Sequence, residues 1–513
     1  MIDKLRTENG MLAMQLNELN KNKGKSAKKG SGSSSLTITS FSDDCILGHK
    51  FSLSNKNVVP EIDESKIQQL KENRYKAFLK KISKNGKLLH TVFYDWHLDI
   101  RAGGPTGYLA NLLLGINRAL PSRSEELPDV YFATRKKKKT IPVQRGIRGR
   151  VLDFFKKSSL FNYFWINYLS KSSKSELKSF INFLRKPEEM TPSEEVLKQL
   201  NLSKLKTVHV HTIFDAIKIK NFLVKNGKTN VVILLTSHTP ESVALEFRQS
   251  YLDAGYTEHT AETIYRLVQN VEKRAFSQAD VLVFPSYESM APARENIDDF
   301  DAILSHKEVR FVETGVKPIV PSCGKIEAKR YYGVEGKKVI GFLGRHNSIK
   351  GYDILKQVAR SVLEKHADVV FLIGGDQGKE FTPLNNPRWI ECGRVDPAKF
   401  LPAIDIFVLP NRQTYFDLVF LEVMSMGIPI VASHTGGNIT MAKENPHVVT
   451  YLDEEKGLEL AIESMLSQSK EELDEIGESL RKSYESKYTL DVFAENYLNM
   501  VADIQKKYFG DHK

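Results

Sequence analysis

Cysteine is scarce in this chain of 513 residues: Cys45, Cys323 and Cys392 lie far apart, with no Cys-x-x-Cys spacing. That excludes a disulfide-stapled scaffold and a cysteine zinc site, and it predicts a reducing, cytoplasmic setting. Long apolar runs are also missing. No stretch approaches the ~18–20 residues that span a bilayer, and the opening MIDKLRTENG has no apolar core of a leader peptide, so none is expected. What is present is ordinary globular composition, 41% apolar and 27% charged, which excludes a wholly disordered or collagenous chain. The length predicts two or more domains.

The net charge of +11 is concentrated. Residues 135–186 hold 15 Lys/Arg against two acids, Asp153 and Glu176, and the rest of the chain sums to −2. Nine aromatics are interleaved there: Phe154, Phe155, Phe161, Tyr163, Phe164, Trp165, Tyr168, Phe180 and Phe183. Cations among rings suit an anionic membrane surface, each cation contributing about 1 kcal/mol while the rings settle at the headgroups. The alternatives are a solvated loop followed by a helix whose aromatics pack on the protein, or contact with nucleic acid. No nucleic-acid-binding motif accompanies the patch, so no such partner is expected.

The first twenty residues carry a heptad seam, Ile2, Leu5, Asn9, Leu12, Leu16 and Leu19, with Asn9 at an a position. It predicts a coiled coil over 1–22 and a homodimer; the alternative is a frayed amphipathic helix. A Lys/Gly/Ser linker over 23–35 and a mixed extension over 36–86 follow, with a helix expected over 65–82. From Lys87 short apolar runs alternate with helical patterns: LLHTVFYDW (88–96), VYFAT (130–134), TVHVHTIF (207–214), VVILLTSH (231–238) and DVLVFPS (280–286) read as strands. The pattern restarts with VIGFLG (339–344), DVVFLIGG (368–375), RWIECG (388–393), DIFVLP (405–410) and PIVAS (429–433). Alternation of this kind implies parallel sheets covered on both faces. Two series imply two doubly wound α/β domains, and ligands bind beyond the carboxyl ends of their strands.

Two segments carry chemistry. In GFLGRHNSIKGYDIL (341–355) a buried strand ends at Gly344, and Arg345 and Lys350 lie on a loop before Gly351 opens a helix. Two cations, open N–H groups and a helix N-terminus suit a diphosphate; the plain alternative is a basic surface loop. In NRQTYFDLVFLEVMSMGIPIVASHTGGN (411–438), Glu422 interrupts an apolar helical run. A carboxylate there needs a partner, and ribose hydroxyls or a local Lys or Arg would each serve. The Gly436-Gly437 turn either lets backbone approach a ligand or is only a turn.

In this order and spacing the residues resemble a GT-B-fold retaining glycosyltransferase of family 4, the glycosyl transferases group 1, from about residue 88 to the C-terminus. Gly103-Gly104-Pro105-Thr106-Gly107 stands at the family's Gly-rich turn, His238 ends LLTSH, Ala279 to Ser286 matches a family strand, and Gly344, Arg345, Lys350 and Gly351 match its Gly-Arg…Lys-Gly pattern. The segment KYTLDVFAENYLNMV (487–501) resembles the family's final crossover helix. The resemblance implies a Rossmann-like acceptor domain over 87–315 with a basic aromatic insertion (135–186), a nucleotide-sugar domain over 316–485, a crossover helix over 486–513, and an interdomain cleft. It implies transfer from a nucleotide-diphosphate sugar to a saccharide or lipid-linked acceptor. In that reading Arg345, Lys350, Gly104, Gly436 and Gly437 stabilise the leaving diphosphate, Glu422 holds the ribose, backbone near Arg394 and Val395 flanks the base, and His238 faces the sugar. With two cations present, neither metal nor resident cofactor is expected. A lipid-linked acceptor would place the chain at the inner face of a bacterial membrane, in surface polysaccharide or glycolipid assembly.

The sequence departs from the family at its first Glu, which falls on Thr414, and Phe416-Asp417 replaces Phe-Gly. Thr314 replaces the Asn before Gly-Val. Asp417 would either supply the lost carboxylate from one turn away or cap the helix. The loss also leaves open a catalytically inactive scaffold acting through its coiled coil, or a phosphorylase or epimerase on the same fold.

Overall fold

The computed structural model describes residues 89–98, 104–119, 128–135, 174–376, 382–452 and 455–510. The expected coiled coil (1–22), linker (23–35), extension (36–86), Gly103 and residues 136–173 of the basic insertion lie outside the described residues.

Residues Leu88 to Lys513 form one compact unit with two six-stranded parallel sheets. The first contains β1 (Leu89–Tyr94), β2 (Asp129–Thr134), β3 (Leu205–Val210), β4 (Val232–Leu235), β5 (Val281–Phe284) and β6 (Glu308–Phe311), in the order β2-β1-β3-β4-β5-β6. The second contains β7 (Lys338–Leu343), β8 (Val369–Gly374), β9 (Trp389–Gly393), β10 (Ile406–Leu409), β11 (Ile430–Ser433) and β12 (Val449–Tyr451), in the order β12-β11-β10-β7-β8-β9. Strand order reverses between β1 and β3 and between β7 and β10, and in such sheets the crevice for a ligand opens at the reversal.

The helices that bear on the site are α1 (Gly104–Ala119), α2 (Val243–Asp253), α3 (Glu258–Gln278), α4 (Tyr352–Lys365), α5 (Leu418–Ser425), α6 (Gly436–Glu444) and α7 (Leu490–Phe509). Central strands such as β8 and β10 are buried along their whole length. Their near-continuous Val, Ile, Leu and Phe follow from having helices on both faces. One face of the first sheet packs Val208, Val210 and Leu235 against Val268 and Phe276 of α3. Its other face packs Val92 and Leu234 against Leu109 of α1 and Phe493, Val501 and Ile504 of α7. Each fully buried aliphatic or aromatic side chain contributes about 1.5–3 kcal/mol. The C-terminal helix α7 is therefore part of the first sheet's core, although the second sheet separates it in sequence.

Two elements differ from the expected pattern. The strand read over 207–214 ends at Val210, because the Thr212 side chain accepts from Asp215 N and starts a helix at Ile213. Edge strands β6 and β12 carry half-exposed or polar residues, too short and mixed to stand out as apolar runs.

In the basic insertion, the described ends serve the fold. Arg135 pairs with buried Asp95 at 2.8 Å, and Lys218 meets the same carboxylate at 2.9 Å. Phe180 is buried and stacks near Phe247 and Tyr251. These two residues are thus removed from the set expected to face a membrane: the ring packs on the protein and the guanidinium has a counterion. Phe183 stays 39% exposed.

Candidate functional site

The loops that follow β7, β10 and β11 meet at the strand-order reversal of the second sheet. After β7 the chain turns through Arg345 and Lys350 into α4. Asn347 Oδ1 accepts from Lys350 N at 2.9 Å, which closes the turn. Gly351 N-caps α4 at φ +66°, and a Cβ there would lie 1.7 Å from the Pro410 carbonyl oxygen. Only glycine satisfies both the left-handed backbone and the close approach. The contact locks the β7 loop against the β10 loop. Gly436 does the same for the β11 loop, at φ +45° and with the Thr414 oxygen 1.8 Å from its would-be Cβ.

Gly436 and Gly437 form the first turn of α6, not a separate turn. First-turn N–H groups have no partner within a helix and carry its positive end. The Arg345 side chain is exposed, and among the described residues its guanidinium makes no hydrogen bond or ion pair, although its charge acts on Glu246 of α2.

The structure corrects the expectation of two uncommitted cations. The Lys350 ammonium is ion-paired with Asp417, whose carboxylate also accepts from Asn411 Nδ2 at 2.9 Å. Burial favours the neutral acid at Asp417, but the adjacent ammonium prevails and holds its carboxyl below the usual range. Asp417 stands at the N-cap position of α5, where the Val419 N–H helps hold its carboxyl low, and it is at the same time the counterion of Lys350. Thr414, at the place of the missing Glu, is 3% exposed and packed under Gly436.

Glu422 lies on α5, half-buried, and its carboxylate makes no hydrogen bond among the described residues. Burial, with the Asp417 charge, pushes its carboxyl up to about 7. Such an acid takes up donors from a ligand at little cost. Beyond β9, Arg394 is engaged with Asp376 through two 2.6 Å bonds. Val395 lies next to Gly374 at the end of β8.

On the first sheet, Gly104 opens α1 at φ +64°. His238, just beyond β4, has its Nε2 3.0 Å from Nδ1 of His211. Its ring lies 4.6 Å from that of Tyr108 and 6.0 Å from that of Tyr415. Burial lowers the His238 pKa to about 3, so the ring is neutral at pH 7. His211 Nε2 is buried without a partner. A buried N–H costs more unmet than a lone pair, which assigns the proton to His211 Nδ1 and leaves His238 to offer its Nδ1–H.

Sequence reasoning missed a polar chain beneath this site. Thr236 donates to the Val283 carbonyl at 2.9 Å, so its oxygen accepts from His209 Nε2, also at 2.9 Å. His209 Nδ1 then accepts from the Tyr497 hydroxyl at 2.9 Å, which in turn accepts from His90 Nε2 at 2.9 Å. His90 Nδ1 accepts from Thr207, at 2.8 Å, whose oxygen accepts from Gln505 at 3.2 Å. Every donor direction follows from the fixed ends, Gln505 N–H and Val283 C=O, and both imidazoles are neutral. Burial depresses the pKa of His90 to about 3 and that of His209 well below normal. The chain ties α7 to β1, β3 and β4 at the floor of the first sheet. A signal existed in the alternation TVHVH (207–211): Thr207 and His209 share one face of β3 by period two, and His211 follows just beyond its end.

Asp299-Phe300-Asp301 has the spacing of a metal-binding acid pair. Asp299 is held by Lys273 at 2.6 Å and Asp301 by Arg294 at 3.0 Å, on the surface.

Residues 337–468 match the family model of the glycosyl transferases group 1. The chain is 28% identical over 226 residues to a D-inositol 3-phosphate glycosyltransferase of Corynebacterium urealyticum, covering 39% of this chain and 50% of that protein. It is 27% identical over 193 residues to spore coat protein SA of Bacillus subtilis, covering 34% and 51% respectively. The chain thus spans about half the length of these curated relatives. Among solved structures, sucrose-phosphate synthase from Thermosynechococcus elongatus superposes with a TM-score of 0.54 at 16% identity, over 82% of this chain and 100% of that one. A trehalose-6-phosphate protein from E. coli bound with UDP-2-fluoro glucose does so at 0.53 and 13% identity, over 81% and 99%. Two parallel sheets, helices on all four faces and these likenesses give the chain a two-domain α/β GT-B fold, and residues 337–468, which match the glycosyl transferases group 1 model, span most of its second sheet's half.

Proposed function

We propose that the chain transfers a sugar from a nucleotide-diphosphate donor to an acceptor hydroxyl, with retention at the anomeric carbon. The observation that carries this reading is Glu422, a half-buried carboxylate with no hydrogen-bond partner among the described residues, on the helix that begins at the Lys350–Asp417 pair and within reach of the Asp417 charge. A ribose offers the two hydroxyls such an acid accepts, and a diphosphate offers the charge that a guanidinium and helix N–H groups take. The similar proteins, a D-inositol 3-phosphate glycosyltransferase and a protein bound with UDP-2-fluoro glucose, point the same way.

The acceptor oxygen bonds to the anomeric carbon as the bond to the diphosphate breaks, and the acceptor proton passes to a donor phosphate oxygen. Negative charge gathers on the leaving group, where Arg345 and the N–H groups of Gly436 and Gly437 are preorganised to receive it. Lys350 joins them when it exchanges Asp417 for phosphate. His238 offers its Nδ1–H to the transferred sugar, and backbone at Val395 flanks the base. No metal takes part in this scheme.

The test is a thermal-shift panel of nucleotide sugars, since a ligand bound by the native state alone raises its melting temperature. It is followed by turnover of Lys350→Ala and Glu422→Ala with folding verified. Near-normal turnover in both variants removes the assignment. The Lys350–Asp417 pair and the loss of Glu at Thr414 favour a second reading, an inactive scaffold; donor turnover by the wild type excludes it.

The acceptor is a saccharide or lipid-linked saccharide of bacterial surface polysaccharide or glycolipid assembly. In that reading the protein is cytoplasmic and docks on the membrane through residues 135–186, and it pairs through residues 1–22. Preferential pelleting with anionic over neutral liposomes supports the docking; equal pelleting counts against it. An unchanged monomer mass with and without residues 1–35 ends the dimer.

A further inference from the structure

Two neighbouring strands are each followed by a histidine. His211 comes directly after β3 and His238 lies just beyond β4, and they meet at 3.0 Å, Nδ1 of His211 to Nε2 of His238. Their surroundings differ. His211 is 1% exposed, and its Nε2 is buried with no hydrogen-bond partner. His238 is half-buried, and its Nδ1 makes no hydrogen bond among the described residues. One ring is enclosed, while the other keeps an open nitrogen.

Only one proton arrangement suits both rings. Burial keeps them neutral at pH 7, and the rings around them, His209, Tyr108 and Tyr415, are neutral as well. Each imidazole therefore carries a single N–H. Were His238 to donate from Nε2, His211 would accept at Nδ1 and hold its own proton on the enclosed Nε2. That buried N–H would have nothing to meet, which disfavours the state by about tenfold or more. In the reverse direction His211 donates from Nδ1, its enclosed Nε2 is a bare lone pair, and His238 carries its proton on the open Nδ1. Unconstrained neutral histidine in water prefers Nε2–H. His238 is thus held in the form it would otherwise populate less, because the hydrogen bond at one ring nitrogen decides what the other carries.

His211 is fixed in turn by packing. Its ring lies 4.1 Å from that of His209 and 5.5 Å from that of Tyr108. His209 is bonded at 2.9 Å to both Tyr497 of α7 and Thr236, and Tyr108 packs 5.1 Å from Phe493 of the same helix. A ring between two anchored rings in a close-packed interior does not turn to exchange its nitrogens. The C-terminal helix therefore reaches His238 through two ring contacts. With Nε2 accepting and Nδ1 protonated, His238 has no lone pair left to take a proton.

We infer that His211 is a positioning residue: it fixes His238 as an Nδ1–H donor, so that His238 serves the transfer by donating a hydrogen bond to a substrate oxygen and not as a base. The inference rests on the proposed transferase reading for the ligand His238 meets; the tautomer stands without it. The acceptor proton then leaves by another route, in keeping with its passage to a donor phosphate oxygen.

The test begins with nitrogen NMR of full-length protein carrying isotope-labelled histidine, the His238 signals identified by their loss in His238→Gln. Wild-type His238 is expected to show a protonated Nδ1 and a bare Nε2. In His211→Phe, which keeps a ring but removes the donor, His238 is expected to pass mainly to Nε2–H. In His211→Asn, whose amide N–H takes the place of Nδ1–H, the wild-type form is expected to persist. Nucleotide-sugar turnover should follow the tautomer: kcat about tenfold lower in the Phe variant, in step with the fraction of His238 left as a donor, and within about threefold of wild type in the Asn variant. A role in packing alone predicts the opposite order, since Phe fills the site and Asn leaves a cavity. Wild-type His238 protonated on Nε2, the same His238 tautomer in both variants, or an Asn variant no faster than the Phe variant would overturn the inference. The first of these needs neither His211 variant to fold. Absence of donor turnover in the wild type removes the transferase reading, and the tautomers then still decide what His211 does to His238.

Discussion

The two sheets share a topology class but present opposite chemistry at their carboxyl ends. The second offers Arg345, Lys350 and the N-terminus of α6. The first offers Glu241, Glu246, Glu272 and neutral histidines. A shared scaffold thus carries a guanidinium and a helix N-terminus beyond the strands of one half, and carboxyls raised by burial with neutral histidines beyond those of the other. The difference lies in loop residues, because in parallel sheets the strands are buried and their chemistry sits beyond their ends.

The largest test of that contrast is pH. His90 and His238 titrate near 3 when folded against about 6.5 in model peptides, and His209 and His211 are lowered as well. Groups with depressed pKa contribute stability that is present above pH ~6.5 and lost as pH falls toward the folded value, each about 1.4 kcal/mol per pH unit. Glu246, Glu272, Glu313 and Glu422, raised to about 7, act in the opposite sense: their contribution is full below pH ~4.5 and lost as pH rises through 7. Between pH ~4.5 and 6.5 the two sets offset one another. Below that window the histidines are joined by ion-paired carboxylates held low, Asp95 and Asp417 among them, whose contribution is also lost as pH falls, so denaturant midpoints are expected to stay nearly level and then fall steeply. A uniform decline from pH 7 would show that the first sheet's histidines are not held neutral.

Next in size, Arg345→Ala is expected to lower kcat roughly 100- to 1,000-fold, as removal of a preorganised oxyanion donor does, with the melting temperature unchanged because the guanidinium has no structural partner. Tyr497→Phe tests the first sheet. It strands His90 Nε2–H and His209 Nδ1, and a loss of about 2–3 kcal/mol is expected in urea unfolding. Glu422→Gln is expected to weaken donor binding about tenfold by calorimetry, as a charged acceptor is exchanged for a neutral one. Should it change acceptor KM instead, the assignment of donor to the second sheet would be reversed.

The strands of both sheets were legible because runs such as VVFLIG and IFVL have one physical explanation, burial on both faces. The glycines of the loops at 344–351 and 435–437 were legible as places of close approach, and Gly351 and Gly436 do pack against the backbone of Pro410 and Thr414. The pairing of charges between loops was not. Lys350 and Asp417 are 67 residues apart, and nothing local distinguishes a cation awaiting phosphate from one with a counterion. Nor could residue types reveal that Tyr415, on the loop after β10 of the second sheet, packs its ring with Phe284 and His238 of the first. The histidines of β3 looked like ordinary strand residues until α7 supplied Tyr497.

The sequence by itself determined the two parallel sheets, their split near residue 320 and the glycines that let loops approach one another, because periodicity and backbone sterics act over a few residues. Tertiary structure alone decided which charges are spent and which remain open. Pairing, burial and orphaned polar atoms depend on neighbours that are distant along the chain, and only packing brings them within hydrogen-bond range.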